Sequence, residues 1–170
     1  MQISSSRDQF NSLAERYSQS PVHRAGPSLP VLLDLAAPAK FLDEAHRVLT
    51  NNGRFILADQ ISPAAEISDW IDYWERTRDP SHFLQRTVSQ WQDLARDAGF
   101  SWIKHQIVPY RLQFDWWVTQ AGYNAARIAE LNQHFGARSP EVTRWLDPKF
   151  DGEGQLISFV EPMLVARMEP

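Results

Sequence analysis

The run Arg78-Asp79-Pro80-Ser81-His82 places a guanidinium, a carboxylate, a hydroxyl and an imidazole within five consecutive positions. A histidine titrates near neutral pH, and a carboxylate holding one ring nitrogen leaves the other free to take a proton. An Asp79–His82 pair is therefore a candidate general base. The same residue types also make an ordinary turn, in which Pro80 stops a helix and Asp79 caps the next turn, and at a spacing of three this is the simpler reading. His23, His46, His82, His105 and His134 never fall four residues apart, and the chain has no cysteine. Spacing thus supports no metal site, no thiolate nucleophile and no disulfide. Seven tryptophans are many for this length. Trp70 and Trp74 share a helical face and Trp116-Trp117 open another helix; such residues fill a core or line an apolar pocket, and with Phe83, Phe114 and Tyr123 they could roof a flat hydrophobic molecule.

The elements that must position these groups are set by periodicity and punctuation. Phe10, Leu13, Ala14 and Tyr17 recur at helical spacing after a serine cluster, so residues Ser4 to Tyr17 are predicted to form a surface-docked helix. VLLDLAA adds one or two helical turns before Pro38. Phe41, Leu42, Ala45, Val48 and Leu49 form one stripe of a helix. Asn51-Asn52-Gly53 is expected to end it in the left-handed conformation. Arg54 to Ala58 comes next as a strand whose nearly continuous apolar run suits burial on both faces. Helices are predicted over Ala65 to Arg78, with Ile67, Trp70, Ile71 and Trp74 on one face, and over Val88 to Ala98, with Ser89 as N-cap and Gly99 as left-handed terminus. Two strands around Pro109, two helices from Phe114 to Phe135 and a closing strand from Leu156 to Met168, interrupted by Pro162, complete the chain.

In order, FNSLAERYSQSPVH, LLDLAAP, FLDEAHRVLTNNGRFILAD, WIDYWERTRDPSH, WQDLARDAGF and LISFVEPMLVARM resemble the class I S-adenosylmethionine-dependent methyltransferases of the ubiquinone/menaquinone (UbiE-like) type. The resemblance covers nearly the whole chain and implies an α/β, Rossmann-like fold. It also implies an acceptor site near the N-terminal helix and the ArgAspProSerHis turn, which matches Tyr17, His23, Asp79 and His82 as catalytic candidates. Arg78 of that turn is a substrate-binding candidate by the same match, and Trp70, Trp74, Phe83 and Trp117 join it as aromatic residues. Members of the family carry a Gly-rich cofactor loop, a ribose-binding acid and further strands between the segments resembling LLDLAAP and FLDEAHRVL. Here only Ala39-Lys40 stands there, and a βαβ unit needs roughly 30 residues. The pair Gly152 and Gly154, between Asp151 and Glu153, does not replace the loop, because its carboxylates repel an anionic group and turn chemistry accounts for it. The expectation is a single truncated domain, with N-terminal helices over 1–38 and the C-terminal half over 39–170. It should have about three mixed strands, helices on both faces and no cofactor-binding residues of its own. S-adenosylmethionine would bind only if a partner completed the site.

In such a fold Arg54 to Ala58 is a central strand deprived of one neighbour, and a bare apolar edge is a template for pairing. A homodimer through that edge, or through swapped helices, is expected, with a full-length methyltransferase as the other partner that would cap it. The formal charge of −4 and the scattered basic residues exclude an electrostatic footprint for nucleic acid. No apolar run spans a membrane, and the polar start MQISSSRDQF lacks a secretory signal, so a cytoplasmic location is expected. The sequence thus favours a dimeric binding or interaction module retaining an apolar small-molecule pocket. The enzymatic alternative is a methyltransferase, or a cofactor-independent enzyme, whose active site a second chain completes.

Overall fold

The computed structural model describes residues 37–170 except 121 and 123. The predicted Ser4 to Tyr17 helix, Tyr17, His23 and Tyr123 lie outside the described residues. The elements in order are α1 (Pro38–Val48), β1 (Phe55–Gln60), α2 (Ala65–Arg78), α3 (Val88–Asp97), β2 (Ser101–Gln113), α4 (Phe114–Gln120), α5 (Ala125–Gly136), α6 (Pro140–Leu146), β3 (Lys149–Phe150) and β4 (Leu156–Glu169). The α/β reading and the helices on both faces stand. The strands, however, form a four-stranded sheet in the order β1-β4-β2 with β3 also on β4. Every ladder is antiparallel, and the isolated Ile61–Arg86 bridge supplies a parallel contact. β1 and β2 therefore run the same way on either side of a reversed β4.

Local chemistry explains the boundaries. Pro38 opens α1 rather than preceding it, as proline does at a first helical position where its missing N–H goes unmissed. The Asn51-Asn52-Gly53 turn does not use the left-handed region: among the described non-glycine residues only Asp147 has positive φ, and Gly53 is not among the positive-φ glycines. Glycine is required there for space, since a Cβ would come within 2.8 Å of Leu49 Cδ2 and the Thr50 carbonyl oxygen. Gly99 does take the left-handed terminus after α3, at φ 91°. The cap at the other end of α3 is Thr87, not Ser89, in a reciprocal capping box with Gln90. The helix Pro140–Leu146 and strand Lys149–Phe150 are additions to the sequence-based reading.

β4 carries Pro162 without interruption, opposite Pro109 of an equally continuous β2. In an antiparallel strand a residue's N–H and C=O point to the same side. The Pro162 carbonyl accepts from Ile61 N–H just beyond β1, so its missing N–H also faces the β1 side, and that of Pro109 faces the open edge of β2. Two prolines paired this way remove no hydrogen bond from the ladder between them.

Two cores lie on the two faces of the sheet. Leu57, Leu164, Ala166 and Met168 pack with Leu42 of α1 and Trp91 and Ala95 of α3. On the opposite face Leu112 and Phe159 pack with Trp74, Trp117, Leu131, Phe135, Val142 and Leu146 from α2, α4, α5 and α6. Trp74 is 1% exposed, with ring centroids 4.5 Å from Trp117 and 4.8 Å from Phe159. Trp74→Ala should destabilise the fold by about 3–5 kcal/mol, whereas Trp116→Ala, at an exposed ring, should stay within about 0.5 kcal/mol; denaturant midpoints compare the two.

Candidate functional site

The side chains with unusual chemistry gather where β1 ends, α2 crosses the sheet and β4 passes beneath. The hydrophobic face of α2 carries Ile71 and Trp74, but Asp72 and Glu75 lie next to them and are equally buried. A buried carboxylate needs partners. Asp72 Oδ1 has two, the Gln85 backbone N–H at 2.7 Å and His82 Nε2 at 2.8 Å. Because an ionised carboxylate only accepts, the neutral ring keeps Nε2–H towards Asp72 and offers Nδ1 as its acceptor. The carboxylate orienting His82 is thus Asp72, and not the expected Asp79. Asp79 instead accepts from the Ser81 backbone N–H at 2.9 Å and the Ser81 hydroxyl at 2.7 Å, which holds its carboxyl below the usual range. Asp79 is therefore a turn residue.

Glu75, 1% exposed on α2, and Glu161, 7% exposed on β4, face one another. The two buried carboxyls influence one another. Burial is the largest cause raising both, and Glu75 is pushed up to about 8 by burial and then by the Glu161 charge. Arg78 opposes this, its Nη2 lying 3.1 Å from Glu75 Oε2. Gln60 lowers the Glu161 carboxyl against that burial. The Arg78 guanidinium lies 4.7 Å from the Trp117 ring centroid, and Arg127 Nη1 donates to the Arg78 carbonyl at 3.1 Å.

Two depressions meet at Gln60. One, of about 520 Å³, is lined by Asp59, Gln60, His82, Phe83 and Arg86 among others; burial raises the Asp59 carboxyl and lowers the Arg86 guanidinium. The other is a groove of about 550 Å³ over the sheet, with Gln60, Arg78, Gln120 and Glu161 as polar groups and walls that include Val108, Tyr110, Leu112, Trp116, Trp117 and Met163. Of the substrate-binding candidates, Arg78 and Trp117 line the groove, while Phe83, 75% exposed, lines the first depression. Trp74 belongs to the core, and Trp70 stacks on His134 at 4.5 Å, so neither lines either depression. Asp72, Glu75 and Glu161 are not among the residues expected from sequence. Their signals there were acids inside the apolar stripe of α2 and one acid inside an apolar strand.

Among the described residues no three such groups are placed to hold a metal ion, and no helix is long and apolar enough to cross a membrane. The described glycines also do not fit a nucleotide-cofactor cradle. Those with positive φ are Gly99, Gly122 and Gly154, and none stands between a strand and the helix that follows it, the place where backbone approaches a phosphate or sugar.

A carboxyl whose folded value is raised binds more protons folded than unfolded. Its contribution is full below the ordinary 4.5 and is lost as pH rises through about 8. Stability of the chain should accordingly fall between those limits, by up to about 1.4 kcal/mol per pH unit. Glu75→Gln, which keeps a donor for Glu161 and an acceptor for Arg78, should flatten the fall, as urea unfolding at pH 6, 7 and 8 would show.

No protein-family model matches the chain. It is 31% identical over 123 residues to the uncharacterized methyltransferase YcgJ of Bacillus subtilis (strain 168), a match over 71% of this chain and 48% of YcgJ. It is 25% identical over 146 residues to the uncharacterized protein YafE of Escherichia coli (strain K12), over 84% of this chain and 63% of YafE. The chain thus spans about half to under two thirds of the length of these relatives. The crystal structure of YcgJ superposes with a TM-score of 0.69 at 26% identity, over 79% of this chain and 58% of that one. A Bacillus halodurans C-125 protein (BH2331) with a provisional methyltransferase designation gives a TM-score of 0.73 at 23% identity with the same coverage, a likeness of fold. In sequence and in fold, the chain is similar to part of a methyltransferase.

Proposed function

We propose that this chain is a methyltransferase-related binding module that holds an apolar small molecule in the groove over β2 and β4. The observation that carries this reading is the groove itself. Its apolar walls come from β2, β4 and α4, and its polar groups from β1, α2, α4 and β4. The family resemblance puts the Gly-rich cofactor loop outside these elements, so the acceptor side can be formed without it. Apolar walls with a few convergent polar groups are the usual composition of a small-molecule site. N-phenyl-1-naphthylamine, a neutral apolar fluorophore, should bind with micromolar affinity and brighten. Val108→Arg, at an exposed wall position, should weaken binding at least tenfold without loss of fold. S-adenosylmethionine should give no heat at millimolar concentration with the isolated chain, and a micromolar affinity would overturn the reading.

His82 and Asp72 favour a second reading. An oriented imidazole lining the depression at the end of β1 is a group an acceptor-deprotonating enzyme would use. A second chain would then supply the cofactor side, and methyl transfer would appear only in the presence of that chain.

A second copy of the chain is the proposed occupant of the β1 edge. β1 pairs with β4 alone among the described strands, and its Ile56 is 57% exposed. An unpaired edge of this kind invites a twofold mate, and a full-length methyltransferase offering a parallel strand would compete for it. Light scattering should report a dimer at micromolar concentration and a monomer for Ile56→Lys. A wild-type monomer would contradict the proposal.

A further inference from the structure

Basic residues that lie far apart in the sequence meet at one place on the sheet. Arg167 of β4 stands opposite both Lys104 of β2 and Ile56 of β1, and Met163 of β4 stands opposite Val108 of β2. Residues directly opposite share a face, and alternate residues along a strand return to it, so one face carries the row Glu161, Met163, Val165 and Arg167 over about 20 Å. Its middle is apolar and open, since Ile56, Val108 and Val165 are exposed. At the Arg167 end, a depression of about 320 Å³ is lined by Arg54, Lys104, Arg167, Ile56 and Val165 among others. Val165 is also a wall of the larger groove, so the apolar groove and the basic depression adjoin.

The charges along this face are polarised. Like charges directly opposite one another weaken a sheet, yet Lys104 faces Arg167. Among the described residues, the one ion pair made by Arg54, Lys104 and Arg167 is that of Arg167 with Glu169, and Glu169 does not line the depression. The Arg167 Nε–H is buried with no acceptor among the described residues. At the other end of the row, the one guanidinium of the groove, Arg78, is held by Glu75 and shares the lining with Glu161. Positive charge is therefore in surplus only at the depression. Resting on the groove as the binding site, we infer that its ligand class is a single-chain amphiphile with a carboxylate head, whose alkyl chain lies along Val108, Met163 and Val165 and whose head meets Arg54, Lys104 and Arg167. The carboxylate takes donors that have no acceptor and relieves the repulsion between Lys104 and Arg167, while the chain covers the open apolar strip.

Titration calorimetry of the intact chain with decanoate tests the inference, with neutral decanol and cationic decyltrimethylammonium as controls, all below their micellar concentrations. Decanoate should bind roughly tenfold more tightly than either control. Arg54→Gln and Lys104→Gln, both at exposed positions that leave the core untouched, should each weaken decanoate by up to about fivefold and leave decanol unchanged. With both substitutions present, only Arg167 remains, and Glu169 already pairs with it, so decanoate should fall to within about twofold of decanol. Val108→Arg, which blocks the chain rather than the head, should weaken decanoate and decanol alike. Equal affinity for decanoate and decanol, or a decanoate preference that survives the double substitution, would overturn the inference and leave the groove as an apolar site. Sedimentation with phosphatidylglycerol vesicles, without binding of monomeric decanoate, would overturn it in favour of a membrane surface. If none of the three compounds binds and N-phenyl-1-naphthylamine also fails to bind, both the inference and the groove reading fail.

Discussion

β4 is the only described strand with partners on both sides, and the rest of the structure depends on that position. β4 packs Leu164, Ala166 and Met168 into one core and Phe159 into the other. Glu161 sits on the same strand and is buried with it. A carboxylate there cannot be left to water, so the helix crossing above has to neutralise it. α2 brings Arg78 together with a second acid, Glu75, and burial beside the Glu161 charge pushes the Glu75 carboxyl up to about 8.

The same constraint orders the surroundings. Arg78 is held between Glu75 and the Trp117 ring, which fixes α2 against α4. Asp72, three residues before Glu75 on the same helix face, takes His82 and the Gln85 backbone and so folds the loop after α2 back over the end of β1. That loop then forms the wall of one depression while the sheet face forms the floor of the other. Chemistry and packing are not separable here, because the charged groups that define the site also determine where the loop and helix lie. Like buried ion pairs in general, the cluster is weak evidence of stability and better evidence of specificity.

Much of the fold was legible in the sequence because local rules decided it. Ala65 to Arg78 has its boundaries and apolar face as periodicity places them, and Gly99 has the left-handed conformation that ends a helix. The departures arise where a non-local partner decides the outcome. Pro162 reads as an interruption until Pro109 is seen opposite it. His46 falls outside the apolar stripe of α1, yet its ring packs edge-on to Phe100 at 5.1 Å and over Gly99, where a Cβ would come within 3.1 Å of it. For the site, His82, Arg78 and Trp117 could be named from residue type and resemblance. Asp72, Glu75 and Glu161 could not, since an acid in an apolar stripe acquires meaning only when the strand it meets is known. Asp79 drew attention by being three residues from His82, and a turn kept its carboxyl for Ser81.

The central claim is that one carboxyl of the Glu75–Glu161 pair stays protonated in the folded chain at neutral pH. Infrared difference spectroscopy observes this directly, through the C=O stretch of a protonated carboxyl. Such a band is expected at pH 7, fading as pH passes about 8 and missing from both Glu75→Gln and Glu161→Gln. A spectrum with no protonated carboxyl at pH 7, or a band unchanged in the two variants, would contradict it.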